Sequence, residues 1–421
     1  MSITSFASPF FVAFVLFYAA HLAVEMGLIL VNKRHLQKQL TVPSFFQTVI
    51  MPETFAKSQN YTLAKQNFAL WQIAISSLTF WLIILSGVLQ KIDLALPFAN
   101  WPLTHAVLYC LLVGGLFSIL ALPLKLYRIF VLEQRFGFNT MTLGLFCKDQ
   151  IKGTVLTLLL LTPLLYALFW LMRSYPNSWW LLGYGLFMTV QWLAVALFPT
   201  FLAPLFNRFT PLAEGELKQQ IEALAKQLDF RMAGLFTVDG STRSQHANAY
   251  FAGMGRWRRI VLFDTLVKQL STAELVAVLA HEMGHNVKQH VFKGLLLSAT
   301  LSLLLFYVLQ FLLQNADFFM GFGLNPSLHV GLVLFVAVSG VFLFPLTPLF
   351  NALSRKHEYE ADAFAAATTK DSQSMQSALL KLTRDNLSQL SPHPWYSFFH
   401  YSHPTTEERL TALQHQIAVS Q

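Results

Sequence analysis

Charge is what this chain has least of. Only 12% of its 421 residues are Asp, Glu, Lys or Arg, while 55% are hydrophobic, and mean hydropathy is +0.50. Soluble domains carry roughly a quarter charged residues, so a wholly soluble fold is excluded. Cysteine is nearly missing as well. Cys110 and Cys147 stand far apart, which excludes a disulfide framework or a paired-cysteine metal site and leaves them as packing residues. No Lys or Arg precedes the first apolar run, which argues against a cleaved signal peptide. No groove-reading motif accompanies the net charge of +8, so nucleic acid is not an expected partner. The excess of positive charge fits membrane topology and contact with anionic lipid instead.

Long uncharged runs are abundant. Residues 66–90, 94–124, 153–172, 174–207, 294–316 and 318–354 contain no Asp, Glu, Lys or Arg. Each reaches the roughly 20 apolar residues that a helix needs to cross the bilayer. A seventh candidate, Pro9 to Val31, is apolar apart from His21 and Glu25. Those two are four apart, so they can pair across one helical turn or face an interior space. The connectors 32–65, 125–152, 208–293 and the tail from Arg355 hold 27 of the 29 Lys and Arg. Positive residues accumulate on the cytoplasmic side, which predicts an outside N-terminus and a cytoplasmic C-terminus.

This reading divides the chain into four parts. Residues 1–205 form a five-span membrane region, and 206–292 a cytoplasmic segment. Residues 293–352 form the sixth and seventh spans, and 353–421 a second cytoplasmic segment. In the first polar segment, Leu217, Ile221, Leu224 and Leu228 mark one face of a helix over 212–228. Three strands are expected at Leu235 to Val238, Asn248 to Phe251 and Arg259 to Phe263. Ser271-Thr272-Ala273-Glu274 has the form of a capping box, so a helix should start at Ser271 and run toward the sixth span. The last span should continue as helix into Lys356 to Ala367.

That capped helix carries His281-Glu282-Met283-Gly284-His285. Positions four apart on a helix point the same way, so both imidazoles can reach one zinc ion. Glu282 is placed to take a proton from a water molecule at that ion. Catalytic zinc usually has three protein ligands. His290 follows His285 by five positions, turns away from the ligand face, and reads as an interfacial histidine. In the tail, Glu358 and Asp362 share a helix face while Glu360 points nearly opposite. One of the pair can bind zinc while the other orients a ligand histidine, and a solvated acidic helix start is the alternative.

These segments resemble the type 1 CAAX prenyl proteases, seven-span membrane zinc endopeptidases related to bacterial heat-shock membrane proteases. The resemblance rests on His281 to His285 with Glu358 and Asp362 behind it. It extends over Ser244 to Phe251, Arg259 to Leu266 and His400 to Pro404. It implies a mainly α fold, in which seven spans form a barrel around an intramembrane chamber. A small α+β zinc-protease region would be made from the cytoplasmic loop and the tail. By the same resemblance, His281, His285 and Glu358 would bind one zinc ion per chain, with Asp362 supporting a ligand histidine. Glu282 would be the general base, and His403 would stabilise the oxyanion with Arg409 nearby. Asn248, Ala249 and Tyr250 would lie along the substrate. The partners implied are membrane lipid and a peptide or protein substrate, prenylated in a eukaryotic enzyme. A bacterial one would act in membrane-protein quality control, and the location would be the bacterial inner membrane or the endoplasmic reticulum membrane. A transporter with a structural zinc is the reading from another class. It is disfavoured because the ionisable groups gather in the polar segments rather than at mid-membrane.

Overall fold

The computed structural model describes residues 8–252 and 258–420. The uncharged runs become helices in chain order. They begin with α1 (Pro9–Lys38), α2 (Pro52–Leu85), the short α3 (Val88–Ala95) and α4 (Pro102–Tyr127), which continues through a π turn to Phe136. Next come α5 (Leu143–Ser174) and α6 (Trp179–Leu197). Seven helical segments among the described residues are long and apolar enough to span a membrane. Large apolar side chains such as Trp71, Leu159, Leu296 and Phe311 lie more than half exposed along them. So much exposed apolar surface has a natural cover only in lipid.

Between the fifth and sixth spans lies a four-stranded sheet of β1 (Phe209–Pro211), β2 (Gly234–Val238), β3 (Ala249–Ala252) and β4 (Arg259–Phe263). Its order is β1-β2-β4-β3, with β2 and β4 parallel and both outer pairings antiparallel. Three of these strands match the sequence expectation; β1 does not appear there, because three residues ending in Pro make a weak edge-strand signal. Its presence also corrects the start of the following helix. Leu212 is still donating its N–H to Leu235 O beside the sheet, so α7 runs only over Glu216–Gln227.

After the sheet come α8 (Asp264–Gln269) and α9 (Thr272–Val287), the helix that carries the histidine pair. Ser271 and Glu274 form the expected capping box, and Glu274 also receives Ser377 Oγ at 2.6 Å and Lys381 Nζ at 2.7 Å. Burial alone would raise the Glu274 pKa, but the hydrogen bonds from Lys381, Ser377 and Ser271 outweigh it and hold it at about 2. A carboxylate with a depressed folded-state pKa stabilises the fold above its ordinary value near 4.5, and this contribution is lost as pH falls toward 2. Glu274→Gln should therefore lower the thermal midpoint at neutral pH, because the amide can still close the capping box but loses the charge that Lys381 pairs with. The gap from the parent should close as pH falls below 4.5, which melting curves across that range would check.

Helix α9 runs toward the sixth span as expected and ends just before it. Lys288 and Gln289 break it, with Gln289 in the left-handed region at φ 59°, and α10 restarts at His290–Leu313. The short α11 (Ala316–Met320) precedes α12 (Leu328–Leu343), so the seventh span begins later than its uncharged run. A 3-10 turn at Phe344–Leu346 joins α12 to α13 (Thr347–Thr369), which bears the acidic segment. The tail folds as α14 (Ser372–Asp385), α15 (Pro394–His400) and α16 (Thr406–Ser420). One core ties these parts together: Ile221 of α7, Ile260 and Leu262 of β4, Leu279 and Met283 of α9, and Ala365 of α13.

Candidate metal centre

Helices α9 and α13 cross closely because Gly284 sits at the crossing. A Cβ there would meet the Ala361 backbone at 3.2 Å and the Phe364 side chain at 3.0 Å. Gly284→Val should spread the two helices and cost about 1–3 kcal/mol in overpacking. Because Gly284 lies between His281 and His285, the variant's thermal midpoint and its capacity to bind metal should fall together. Retention of both by a folded variant would contradict this packing argument.

The crossing brings three donor groups to one point. His281 Nε2 and His285 Nε2 lie 3.2 Å apart. Glu358 Oε2 is 3.4 Å from the first, and Oε1 is 3.2 Å from the second. On its other nitrogen, buried His281 faces Asp362 Oδ1 at 2.7 Å. Donation of the Nδ1 proton to Asp362 leaves a lone pair on Nε2, aimed at the shared point. Arg409 in turn donates to both Asp362 oxygens, from Nε at 2.8 Å and Nη2 at 2.6 Å. Its Nη1 lies 3.6 Å from Glu358 Oε2, a buried atom that has no hydrogen-bond partner among the described residues.

Lone pairs and a buried carboxylate converging in this way repel unless a cation or protons sit among them. In the bare protein, burial opposes protonation of His281. The hydrogen bond with Asp362 and the neighbouring Glu358 carboxylate nevertheless prevail and raise its pKa to about 9. The field is thus built for positive charge, and a two-His, one-carboxylate donor set fits zinc. Glu282, between the two histidines in sequence, has a pKa raised above the ordinary value by burial.

His285 has a support that the sequence did not reveal. Its Nδ1 is 3.0 Å from His290 Nδ1, and His290 Nε2 is 3.0 Å from Glu360 Oε2. A proton on His285 Nδ1 and another on His290 Nε2 complete a relay ending on Glu360, which frees His285 Nε2 as a donor to metal. The relay exists because the break at Gln289 turns the chain back, so His290, at the start of the sixth span, is buried beside the pair. His403 stands at the rim, with its side chain 63% exposed and Nε2 3.4 Å from Glu358 Oε1. Asn248 immediately precedes β3, and Ala249 and Tyr250 lie on it, the sheet edge whose side chains Ala249 and Phe251 join the core containing Leu279 and Met283 of α9. The segment leading into β3 is tied to the membrane loops. His246 stacks on Phe138 at 4.0 Å and lies 3.5 Å from Glu133 Oε2, while Arg243 pairs with Asp149 at 2.9 Å.

Comparison with known proteins agrees with this geometry. Residues 211–417 match peptidase family M48, and residues 32–208 match the CAAX prenyl protease N-terminal region with five membrane helices. The CAAX prenyl protease 1 of Saccharomyces cerevisiae is 38% identical over 403 residues, covering 89% of this chain and 88% of that protein. The chain belongs to peptidase family M48. The Homo sapiens CAAX prenyl protease 1 homolog is 32% identical over 91% of each chain. The crystal structure of S. mikatae Ste24p superposes with a TM-score of 0.89 at 34% identity, covering 96% of this chain and 99% of that one. Membership bears out the resemblance seen in the sequence, the seven-span fold with its small sheet, and an integral multi-pass membrane metallopeptidase.

Proposed function

We propose that this M48 peptidase is a zinc endopeptidase of prenylated, CAAX-type peptides. The observation that carries the reading is the convergence of His281, His285 and Glu358, with Glu282 between the histidines on α9. Those three residues would hold the ion, which supplies Lewis acidity that polarises a carbonyl and acidifies water. Asp362 and Arg409 keep the His281 ring in one tautomer, and His290 with Glu360 does the same for His285. Glu282 takes the proton of the attacking water and later delivers one to the leaving amine, a role that its raised pKa suits. His403, exposed at the rim, donates a hydrogen bond to the developing oxyanion.

Substrate backbone would add along β3, whose outer edge carries no partner strand among the described residues. Asn248 sits at the start of that edge and would anchor the peptide. The charge distribution along the connectors supports an outside N-terminus and a cytoplasmic peptidase region. A lipid-modified C-terminal peptide reaches such a site from the membrane. The names of the relatives, CAAX prenyl protease 1 and its homolog, suit the same placement.

The substrate class is tested by comparing a farnesylated CAAX peptide with its unmodified counterpart, using purified protein in detergent. A buried isoprenoid contributes several CH2-sized units of apolar surface, so kcat/KM should favour the farnesylated peptide by about tenfold or more. Equal or faster cleavage of the unmodified peptide would reject prenyl specificity and favour a quality-control protease.

A further inference from the structure

A second cluster of ligand-type side chains lies far from the candidate peptidase centre. Asp93 on α3, His105 on α4 and His329 on α12 bring a carboxylate oxygen and two ring nitrogens within 4.8 Å of one another. Asp93 Oδ1 is 2.8 Å from His105 Nε2 and 2.7 Å from His329 Nε2. Glu358 lies 29 positions after His329 along a helical path interrupted only by the turn at Phe344–Leu346. At 1.5 Å per residue the two clusters are roughly 40 Å apart, so neither serves the other.

Asp93 Oδ1 meets both imidazoles at hydrogen-bond distance, and His329 Nε2 also lies 3.3 Å from Ser327 Oγ. Both imidazoles crowd onto Oδ1, while Oδ2 has only Gln90 Nε2 at 3.5 Å. Three ligand-type groups that converge on one point can also take a cation in place of the shared protons, and the ring pair resembles that of His281 and His285. Ring centroids are 5.1 Å apart here and 4.8 Å apart there. Access is open as well. The three side chains are about 15% exposed and line a cavity of about 440 Å³ together with Pro102, Phe169 and Arg173. One turn along α4 from His105, Tyr109 packs its ring against His329 with centroids 4.9 Å apart. Tyr109 is fully buried, and its hydroxyl has no partner among the described residues.

We infer that Asp93, His105 and His329 form a second zinc site, which clamps the connector helix α3 to the starts of α4 and α12. Two imidazoles and one carboxylate suit zinc, and the cavity leaves room for water to complete the coordination. The ion would join the connector helix to two membrane helices at the end of the bundle away from the sheet, with a coordination position left to water rather than closed by a fourth side chain. The word second rests on the peptidase reading, but the site itself does not.

Metal counting on the full chain tests it. Tag-free protein in detergent is equilibrated with zinc, freed of excess, and its zinc content measured by mass spectrometry. The expected content is about two equivalents in the parent and about one in both H281Q/H285Q and D93N/H329Q. D93N/H329Q should retain peptidase turnover, since it touches nothing at the other centre. A parent count near one that drops to none in H281Q/H285Q would overturn the inference and leave the peptidase reading intact. A parent count near one that survives in H281Q/H285Q would place the ion at Asp93, His105 and His329 and remove it from the peptidase centre. If D93N/H329Q fails to fold, the parent and H281Q/H285Q counts still decide.

Discussion

Glu282→Gln should lower kcat by roughly 10²–10⁴-fold, the range that a positioned general base contributes, while zinc content remains that of the parent. Glutamine keeps the size and shape of the side chain but cannot accept the proton. The metal donors are untouched, because the convergent atoms belong to His281, His285 and Glu358. Burial raises the Glu282 pKa, so its carboxylate is a stronger base than an exposed one. Single-turnover cleavage alongside metal analysis separates the outcomes. Unchanged hydrolysis would remove Glu282 from the reaction, and lost zinc would mean that it helps hold the ion. The same variant addresses the transporter reading, since a purely structural zinc has no use for a base beside it.

Much of this architecture was legible in the sequence for physical reasons. Uncharged runs of span length have few uses outside a bilayer, so six of them, with the nearly uncharged run from Pro9 to Val31, predicted the membrane helices. The capping box at Ser271 predicted where α9 starts, and a helix starting there puts His281 and His285 on one face. The ends of elements were less legible. Periodicity extended α7 back to Leu212 because an apolar residue beside a strand looks like one on a helix face. It also left the end of α9 open at Gln289, where no Gly or Pro announces the left-handed turn. The His290–Glu360 relay was hidden for the same reason, since on an unbroken helix His290 would point away from His285. Asp93, His105 and His329 carried no motif at all. They meet only because three connectors fold to the same end of the bundle, and that is tertiary information.

The second large effect falls on Arg409. Its side chain is 12% exposed and holds both oxygens of Asp362, whose side chain is itself 3% exposed, with Glu358 Oε2 3.6 Å away. Arg409→Met removes that fork and leaves two buried carboxylates facing each other's charge. Breaking a buried pair from one side costs about 3–5 kcal/mol, so the thermal midpoint of chelator-treated protein should fall well below the parent's. With zinc present the fall should be smaller, because a divalent cation among His281, His285 and Glu358 neutralises the same negative charge. Arg409→Lys should recover only part of the loss, since an ammonium cannot make the two-pronged contact. The double variant D362N/R409M removes both charges, and it should melt above R409M in chelator. Its peptidase rate should still be reduced, because an amide holds the His281 ring less firmly than a carboxylate does. If R409M melts like the parent in chelator, or if the double variant is no better than R409M, Arg409 is not what offsets the charge of Asp362. A zinc-dependent difference between R409M and parent would tie Arg409 to the electrostatics of the metal centre rather than to packing of α16.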